Sequence, residues 1–270
     1  MLRLTREVRF SVDRDWAGYI EFARPVTNSW GGWPSAVGIV PYLILRATVS
    51  GEPDPVTGYL CNITHLDRLL REHAIPHAAE ALRERGWHLS AEELLAAVWA
   101  KVAASPLPPG ARLEALELAA TPQLSYTIDR ENPAMVHLTQ QFEFSAAHRL
   151  HCPSLSDAEN RATFGKCNNP SGHGHNYILE VTVAGEPDAR SGAVLPLPAF
   201  ETLVKERVVD RLDHTHLNLD TPQFREVNPS VENIARVIWS MLAGHVAPAR
   251  LAKVRVYETP KTWAEYCGDR

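Results

Sequence analysis

The chain is poor in cysteine and in positive charge. Its four cysteines are too few and too far apart for a disulfide framework, so we expect free thiols in a reducing compartment. The formal net charge of −5 and a pI near 6.2 argue against a general nucleic-acid-binding protein, which needs clustered Lys and Arg. The four cysteines are Cys61, Cys152, Cys167 and Cys267.

Long apolar runs are also missing. No run approaches the roughly 18 residues of a membrane span, and the first ten residues keep their charges, unlike a signal peptide. The hydrophobic fraction of 45% and the charged fraction of 22% are typical of a folded globular chain. We therefore expect a cytoplasmic enzyme or binding protein with neither a nucleic-acid nor a membrane partner.

Three segments of the first half recur in the same order in the second half. The pairs begin at Gly51 and Gly185 (G-E-P-D), Ser90 and Ser230 (S-x-E), and Ala111 and Ala249 (A-R-L). Their separations of 134, 140 and 138 residues differ only as loop insertions would cause. The chain is therefore interpreted as a tandem duplication. A polar, proline-bearing seam at Asp129 to Met135 predicts domains at 1–132 and 133–270.

Each half has the pattern of an α+β unit, an antiparallel sheet with helices on one face. Alternating apolar residues before each G-E-P-D predict a strand followed by a hairpin. Helical periodicity behind Ser caps predicts the later helices. The predicted helices are Leu66–His73, Ser90–Ala103, Ala199–Leu212 and Ser230–His245.

Seven of the twelve histidines lie between His148 and His245. His173 and His175 are two residues apart where a strand begins, so both imidazoles point to one face, and His148 on an earlier strand supplies a third. Three imidazoles with an open fourth position are typical of a catalytic zinc ion. His-x-His alone is equally compatible with two exposed polar residues.

Four further residues carry reactive groups. Cys167 lies in a polar loop beside Lys166, where a nearby cation favours the thiolate, although a lone cysteine is more often a small buried residue. Asp213 can orient His214 for proton transfer; the alternative is a capping Asp beside a surface His. Glu258 ends an apolar strand, where it can bind two N–H donors of a flat heterocycle or simply face solvent.

These residues together resemble the 6-pyruvoyl-tetrahydropterin synthase and 6-carboxytetrahydropterin synthase family over about Leu138 to Gly268. The motifs F-S-A-A-H, C-N-N-P-S-G-H-G-H-N-Y, L-D-H, S-V-E-N and E-T occur in the order of that family. The resemblance implies two tandem tunnelling-fold (T-fold) units that form barrels on oligomerisation. It also implies a homo-oligomer, a trimer of tandem chains or larger.

The resemblance further implies a role for each residue. His148, His173 and His175 would bind Zn²⁺. Cys167 would be the general base, and Asp213 with His214 would complete a proton relay. The substrate-binding residues would be Glu258, which anchors the pterin ring, and Ser230, which lies beside it.

The implied reaction converts 7,8-dihydroneopterin triphosphate to 6-pyruvoyltetrahydropterin with elimination of triphosphate. Five residues between Cys167 and His173 are similar to the pyruvoyl-forming branch, whereas the carboxy-forming branch typically has three. A 6-carboxytetrahydropterin synthase of the queuosine and 7-deazapurine pathway remains an alternative. So do a non-catalytic pterin- or purine-binding protein and a zinc hydrolase.

The first half lacks these residues. The repeat alignment sets Ala120 against Glu258 and, approximately, Ala79 and Glu80 against the Asp213–His214 pair. The zinc ligands and Cys167 are matched by Arg14, Ile39, Pro41 and Trp33. We therefore predict that residues 1–132 are a degenerate, non-catalytic repeat. Its own histidines lie in helical, charged sequence and are expected to be solvated: His65, His73, His77 and His88.

Overall fold

Mostly antiparallel strands, accompanied by helices, account for most of the regular structure. A computed structural model describes residues 1–11 and 42–269. It divides into two compact units. Unit 1 comprises Met1–Leu138 and Gly185–Val194, and unit 2 comprises Thr139–Ala184 and Leu195–Arg270. The fold is therefore α+β, as the sequence predicts.

In unit 1 the strands follow the order β1-β2-β3-β4, all antiparallel. Alternate strand residues such as Val8, Leu45 and Leu116 are buried, because a period of two places them on the face that the helices cover. The elements are β1 (Leu2–Ser11), β2 (Tyr42–Gly51), α1 (Ile63–Leu69), α2 (Ile75–Arg85), α3 (Ala91–Ala103), β3 (Arg112–Thr121) and β4 (Leu124–Asp129).

The helical segment predicted to end at His73 is longer than expected. A π-helical turn, Leu70–Ala74, connects α1 directly to α2, which continues to Arg85. Pro76 does not stop the helix because it lies in the first turn of α2, where a missing N–H costs little. The segment ends at Gly86, whose φ of 59° only glycine adopts easily. Ala79 and Glu80 therefore lie within a helix.

In unit 2 the strand order is β5-β6-β8-β9, and the short β7 pairs with β5 in parallel. The strands are β5 (Val136–His148, which begins in unit 1), β6 (His173–Gly185), β7 (Thr215–His216), β8 (Arg250–Thr259) and β9 (Thr262–Tyr266). The helices are α4 (Asp157–Phe164), α5 (Leu197–Val204), α6 (Asp210–Leu212), α7 (Leu217–Asp220) and α8 (Val231–Leu242), with a π-helical turn at Lys205–Val209.

The strands of the two units make the same kinds of side-chain contact at equivalent positions. Arg46 on β2 pairs with Glu117 on β3, and the matching residues of unit 2, Glu180 and Arg255, form the same ion pair with the charges exchanged. Hydrogen bonds of 2.8 Å join the hydroxyls of Thr5 to Thr48 and of Thr139 to Thr182. These paired contacts support the duplication inferred from the sequence.

The G-E-P-D segments form turns, but the predicted hairpins are wrong. In the first repeat the turn leads to α1, which Asn62 caps by accepting from the Thr64 amide. In the second repeat the corresponding turn leads to α5. Each turn is closed by its own aspartate side chain, Asp54 or Asp188, so no second strand is needed to satisfy the backbone.

All four cysteines are free thiols, as predicted. Among residues 1–11 and 42–269, every helix is too short or too polar to cross a bilayer.

Candidate metal and catalytic site

Three histidines converge where β5 ends and β6 begins. His148 is the last residue of β5, and His173 and His175 lie on one face at the start of β6. One ring nitrogen from each lies within 4.8 Å of the others. The Nε2 atoms of His148 and His173 are 3.1 Å apart. The predicted cluster is therefore present.

The orientation of His148 is fixed by the main chain. Its ring is fully buried, and Nδ1 lies 2.7 Å from the carbonyl oxygen of Pro229. Nδ1 must donate to that carbonyl, which leaves the Nε2 lone pair directed at the other two rings. Burial, and then the neighbouring imidazoles, lower the pKa of His148 to about 4, although the hydrogen bond to the Pro229 carbonyl acts in the opposite direction. Burial also lowers the pKa of His173.

The cluster fits a metal ion. Two nitrogens bound tetrahedrally at about 2.0–2.1 Å lie roughly 3.3 Å apart, close to the 3.1 Å observed. Nε2 of His175 is buried and has no hydrogen-bond partner among the described residues. A buried nitrogen without a partner is costly unless a ligand binds it. Neutral imidazoles are the protonation state that a metal requires.

Glu258 faces the same cluster from β8. Its Oε1 lies 3.4 Å from Nε2 of His148 and 3.6 Å from Nε2 of His175, and the side chain is 20% exposed. Any group hydrogen-bonded to this carboxylate would therefore lie against the three histidines.

Asp213 and His214 form a pair after α6. Nδ1 of His214 lies 2.7 Å from Oδ2 of Asp213, while Oδ1 of Asp213 accepts a 2.7 Å hydrogen bond from the Ser145 amide. That amide, and then His214, hold the pKa of Asp213 below its usual value. His214 has a φ of 56°, and its side chain is 83% exposed. Such strain in a non-glycine residue is often found at functional sites.

A cleft of about 540 Å³ connects this pair with the cluster, because His214 and His175 both line it. Its volume lies within the range of pockets that bind small molecules. The complete lining is Ser145, Ala146, Ala147, Gly174, His175, Asn176, His214, Thr215 and His216.

Cys167 and Ser230 are each connected to the cluster through a neighbouring residue. Cys167 is half-buried in a 3₁₀ turn, Gly165–Asn168, and its carbonyl oxygen accepts from the Leu150 amide, two residues beyond His148. In the described part of the chain, no hydrogen bond joins its thiol to His214. Ser230 caps α8 and directly follows Pro229, the residue that orients His148.

Sequence reasoning missed three supporting residues. The Tyr177 hydroxyl lies 3.5 Å from Nδ1 of His148, and His216 lines the cleft. Gly172, with a φ of 72°, lets the chain pass His216 closely, since a Cβ there would lie 2.6 Å from its Nε2. In the sequence, the H-T-H spacing hinted at His216 and the S-G-H-G-H motif contains Gly172, but no sequence signal marked the Pro229 carbonyl.

The described part of the first half, residues 1–11 and 42–132, offers no comparable cluster. Among residues 1–11 and 42–269, His148, His173 and His175 form the only group of three such side chains close enough to hold a metal ion. Ala120 is the penultimate residue of β3, as Glu258 is of β8. The positions aligned with the ligands and Cys167 lie outside the described residues: Arg14, Trp33, Ile39 and Pro41.

Comparison with known proteins bears on the second half. Residues 137–269 match the family described as 6-pyruvoyl tetrahydropterin synthase. The chain is 43% identical to 6-pyruvoyl tetrahydrobiopterin synthase of Homo sapiens over 132 residues, which is 49% of this chain and 91% of that protein. It is 24% identical to 6-carboxy-5,6,7,8-tetrahydropterin synthase of Rickettsia conorii, over 48% of this chain and 99% of that protein.

A solved structure is similar over half of the chain. The Caenorhabditis elegans 6-pyruvoyl tetrahydropterin synthase is 41% identical, covers 50% of this chain and 96% of its own, and gives a TM-score of 0.48. The identity to the human enzyme, over nine tenths of its length, is far above what fold similarity alone produces. The chain therefore belongs to the 6-pyruvoyl tetrahydropterin synthase family.

Proposed function

We propose that the chain is a zinc-dependent lyase that converts 7,8-dihydroneopterin triphosphate to 6-pyruvoyltetrahydropterin and triphosphate. The observation that carries the proposal is the convergence of three imidazoles beside the Glu258 carboxylate, with His175 and His214 lining one cleft. Family membership supports the same reaction class.

Substrate binding would begin at Glu258. A carboxylate can accept two hydrogen bonds from the N–H groups of a pterin ring. Because Glu258 Oε1 lies within 3.6 Å of two histidine nitrogens, a ring held there presents its side chain to the cluster. Ser230 would contribute a hydroxyl beside the ring. Zinc held by His148, His173 and His175 would supply Lewis acidity to the substrate hydroxyls and so acidify the adjacent C–H bonds.

Proton transfer would be the task of Cys167 and His214. A Cys167 thiolate would remove a proton from the substrate side chain as the general base. His214, oriented by Asp213 at 2.7 Å, would carry protons between the substrate and solvent. Its high exposure suits exchange with water. The ring is reduced as the side chain is oxidised, and triphosphate leaves.

A cationic cleft supports a substrate that carries a triphosphate. It has a volume of about 600 Å³ and adjoins both Cys167 and His148 in the chain, since Lys166 and Arg149 line it together with Arg161. Asp157 is the acidic residue of the lining. Three cations around one cleft favour a polyanion.

Incubation of the zinc-loaded chain with 7,8-dihydroneopterin triphosphate tests the proposal, with products identified by mass. We expect the pyruvoyl product and free triphosphate. A 6-carboxy product would assign the alternative activity, and tight pterin binding without turnover would indicate a binding protein. Cys167→Ala should abolish turnover while zinc content stays at one ion per chain. A fully active Cys167→Ala variant would refute the role of Cys167.

We further propose that residues 133–270 carry the reaction and that residues 1–132 are a non-catalytic repeat. The absence of a second metal-type cluster from the described residues supports this division. We also propose that the protein acts in the cytoplasm as a homo-oligomer. Metal analysis should give one zinc per chain, whereas two would contradict the division.

A further inference from the structure

The two G-E-P-D turns have the same internal structure. Asp54 accepts from the Thr57 amide, and the Gly58 amide donates to the Asp54 carbonyl at 2.8 Å. In the second repeat Asp188 and Gly192 make the equivalent bonds, also with 2.8 Å between the glycine amide and the aspartate carbonyl. The φ values of the two glycines are 72° and 69°. The turns are therefore built to present the same shape.

The turn of the second repeat is docked on a helix end within unit 1. The Ser90 hydroxyl donates to the Gly192 carbonyl at 2.6 Å, and the Val194 amide donates to the Glu92 carboxylate at 3.1 Å. Gly192 packs so closely that a Cβ there would lie 2.4 Å from Cδ of Glu93. Contact buries both Val194 and Glu92, which are 2% and 3% exposed.

The turn of the first repeat has no such contact. Gly58 is exposed, and a Cβ there would have no atom within 4 Å among the described residues. The neighbouring Val56 and Tyr59 are 90% and 65% exposed, which is unusual for large apolar side chains.

The helix end that corresponds to the docked one presents an exposed glutamate and half-buried Ser230 and Asn233. The repeat alignment sets Ser230, Glu232 and Asn233 of α8 against the Ser, Glu and Glu that begin α3. Glu232 is exposed, in contrast to the buried Glu92. The contact between the second turn and α3 is called the internal joint. The first turn and the N-terminal end of α8 are second copies of the two surfaces that form this joint.

We propose that the turn of residues 54–60 in one chain docks on the N-terminal end of α8 in a second copy, reproducing the internal joint. The Leu60 amide would donate to the Glu232 carboxylate, and Gly58 would pack against Asn233. The two surfaces differ, so the contact is head-to-tail, and it either closes into a ring or extends. This inference rests on the repeats and does not depend on the proposed catalytic activity.

Two variants remove one surface each. Gly58→Asp adds bulk and a negative charge to the turn, and aspartate tolerates a positive φ better than most residues. Glu232→Arg reverses the charge that receives the Leu60 amide. Gly110→Asp is the matched control, because Gly110 is exposed with a φ of 79° and no atom within 4 Å of its Cβ position. Glu206→Arg, an exposed glutamate on another surface, is the control for Glu232.

Sedimentation equilibrium of the full-length chain provides the measurement. We expect the wild type and both controls to self-associate, and each surface variant to raise the dissociation constant at least about 30-fold. An equimolar mixture of Gly58→Asp and Glu232→Arg chains retains one intact pair of surfaces. It should form a 1:1 dimer and nothing larger.

Hydrogen exchange on the wild-type chain tests the same contact without a substitution. Amides of residues 58–60 and 231–233 should become protected as chain concentration rises, while the amide of Gly244 should not. The proposal would be overturned if the wild type is a monomer or if the surface variants assemble like their controls. It would also be overturned if the protection of these amides does not change with chain concentration.

Discussion

Acidification should weaken metal binding by this chain less steeply than metal binding by a site whose three histidines all have ordinary pKa values. Each histidine that must lose a proton before binding adds one unit to the slope of log Kd against pH. His148 is fully buried, and its pKa lies at about 4 instead of the ordinary 6.5. It therefore stays neutral as pH falls from 6.5 towards 4, and its contribution to binding is lost only below that window.

The size of the effect follows from the two pKa values. At pH 5, a histidine with a pKa of 6.5 is protonated roughly 30:1, and freeing it for the metal costs about 2 kcal/mol. With a pKa of about 4, the cost at pH 5 is only about 0.1 kcal/mol. The low pKa also affects the stability of the metal-free protein. Between pH 6.5 and 4, His148 takes up a proton in the unfolded chain but not in the folded one, so acidification favours unfolding. The free energy of unfolding should fall by up to about 3 kcal/mol from this group between pH 6.5 and 4.

Competition against a chromogenic chelator between pH 5 and 6 measures the slope. The two remaining histidines allow at most two protons, so Kd should rise no more than about 100-fold per pH unit. The Glu258→Gln variant serves as the control, because it removes the carboxylate that could also take up a proton near the metal. A slope of three in both proteins would refute the argument that burial keeps His148 neutral.

Three further outcomes are expected. Phe144→Ala should lower the free energy of unfolding by about 3–5 kcal/mol in denaturant titrations, because Phe144 is 2% exposed and stacks on Tyr177 with ring centroids 4.9 Å apart; Phe144→Leu should lose less. Asp213→Asn should reduce kcat by about 10²–10⁴-fold at unchanged zinc content, and an unchanged kcat would contradict the relay. Lys166→Glu should raise KM for the triphosphate substrate at least about tenfold, whereas Lys101→Glu, on an exposed helix surface, should leave KM unchanged.

Much of the fold could be predicted from the sequence because its periodicities are local. Alternating apolar residues gave the strands, and the Ser90 and Ser230 caps begin α3 and α8 where expected. The errors arose where local signals compete with the chain around them. The helix predicted to end at His73 continues, because a π-helical turn joins α1 to α2. The G-E-P-D turns looked like hairpins because nothing local distinguishes a turn that leads to a strand from one that leads to a helix.

The candidate site was predictable where its residues share a strand or a motif. The H-x-H spacing alone places His173 and His175 on one face, since alternate strand residues point the same way. The contacts that prepare the ligands were not predictable. Pro229 lies 81 residues from His148, and its carbonyl reaches the ring only through tertiary packing.

The sequence by itself determined the duplication, the residue types of the metal cluster and which half carries them, because these depend on identity and spacing. Only the tertiary structure decided which nitrogen of His148 is free for a ligand, how far its pKa falls, and that Glu258 faces the cluster. Those properties depend on burial and on distances between residues remote in the chain. The same distinction separates Gly58 from Gly192, because two turns with equivalent backbone hydrogen bonds differ in what packs against them.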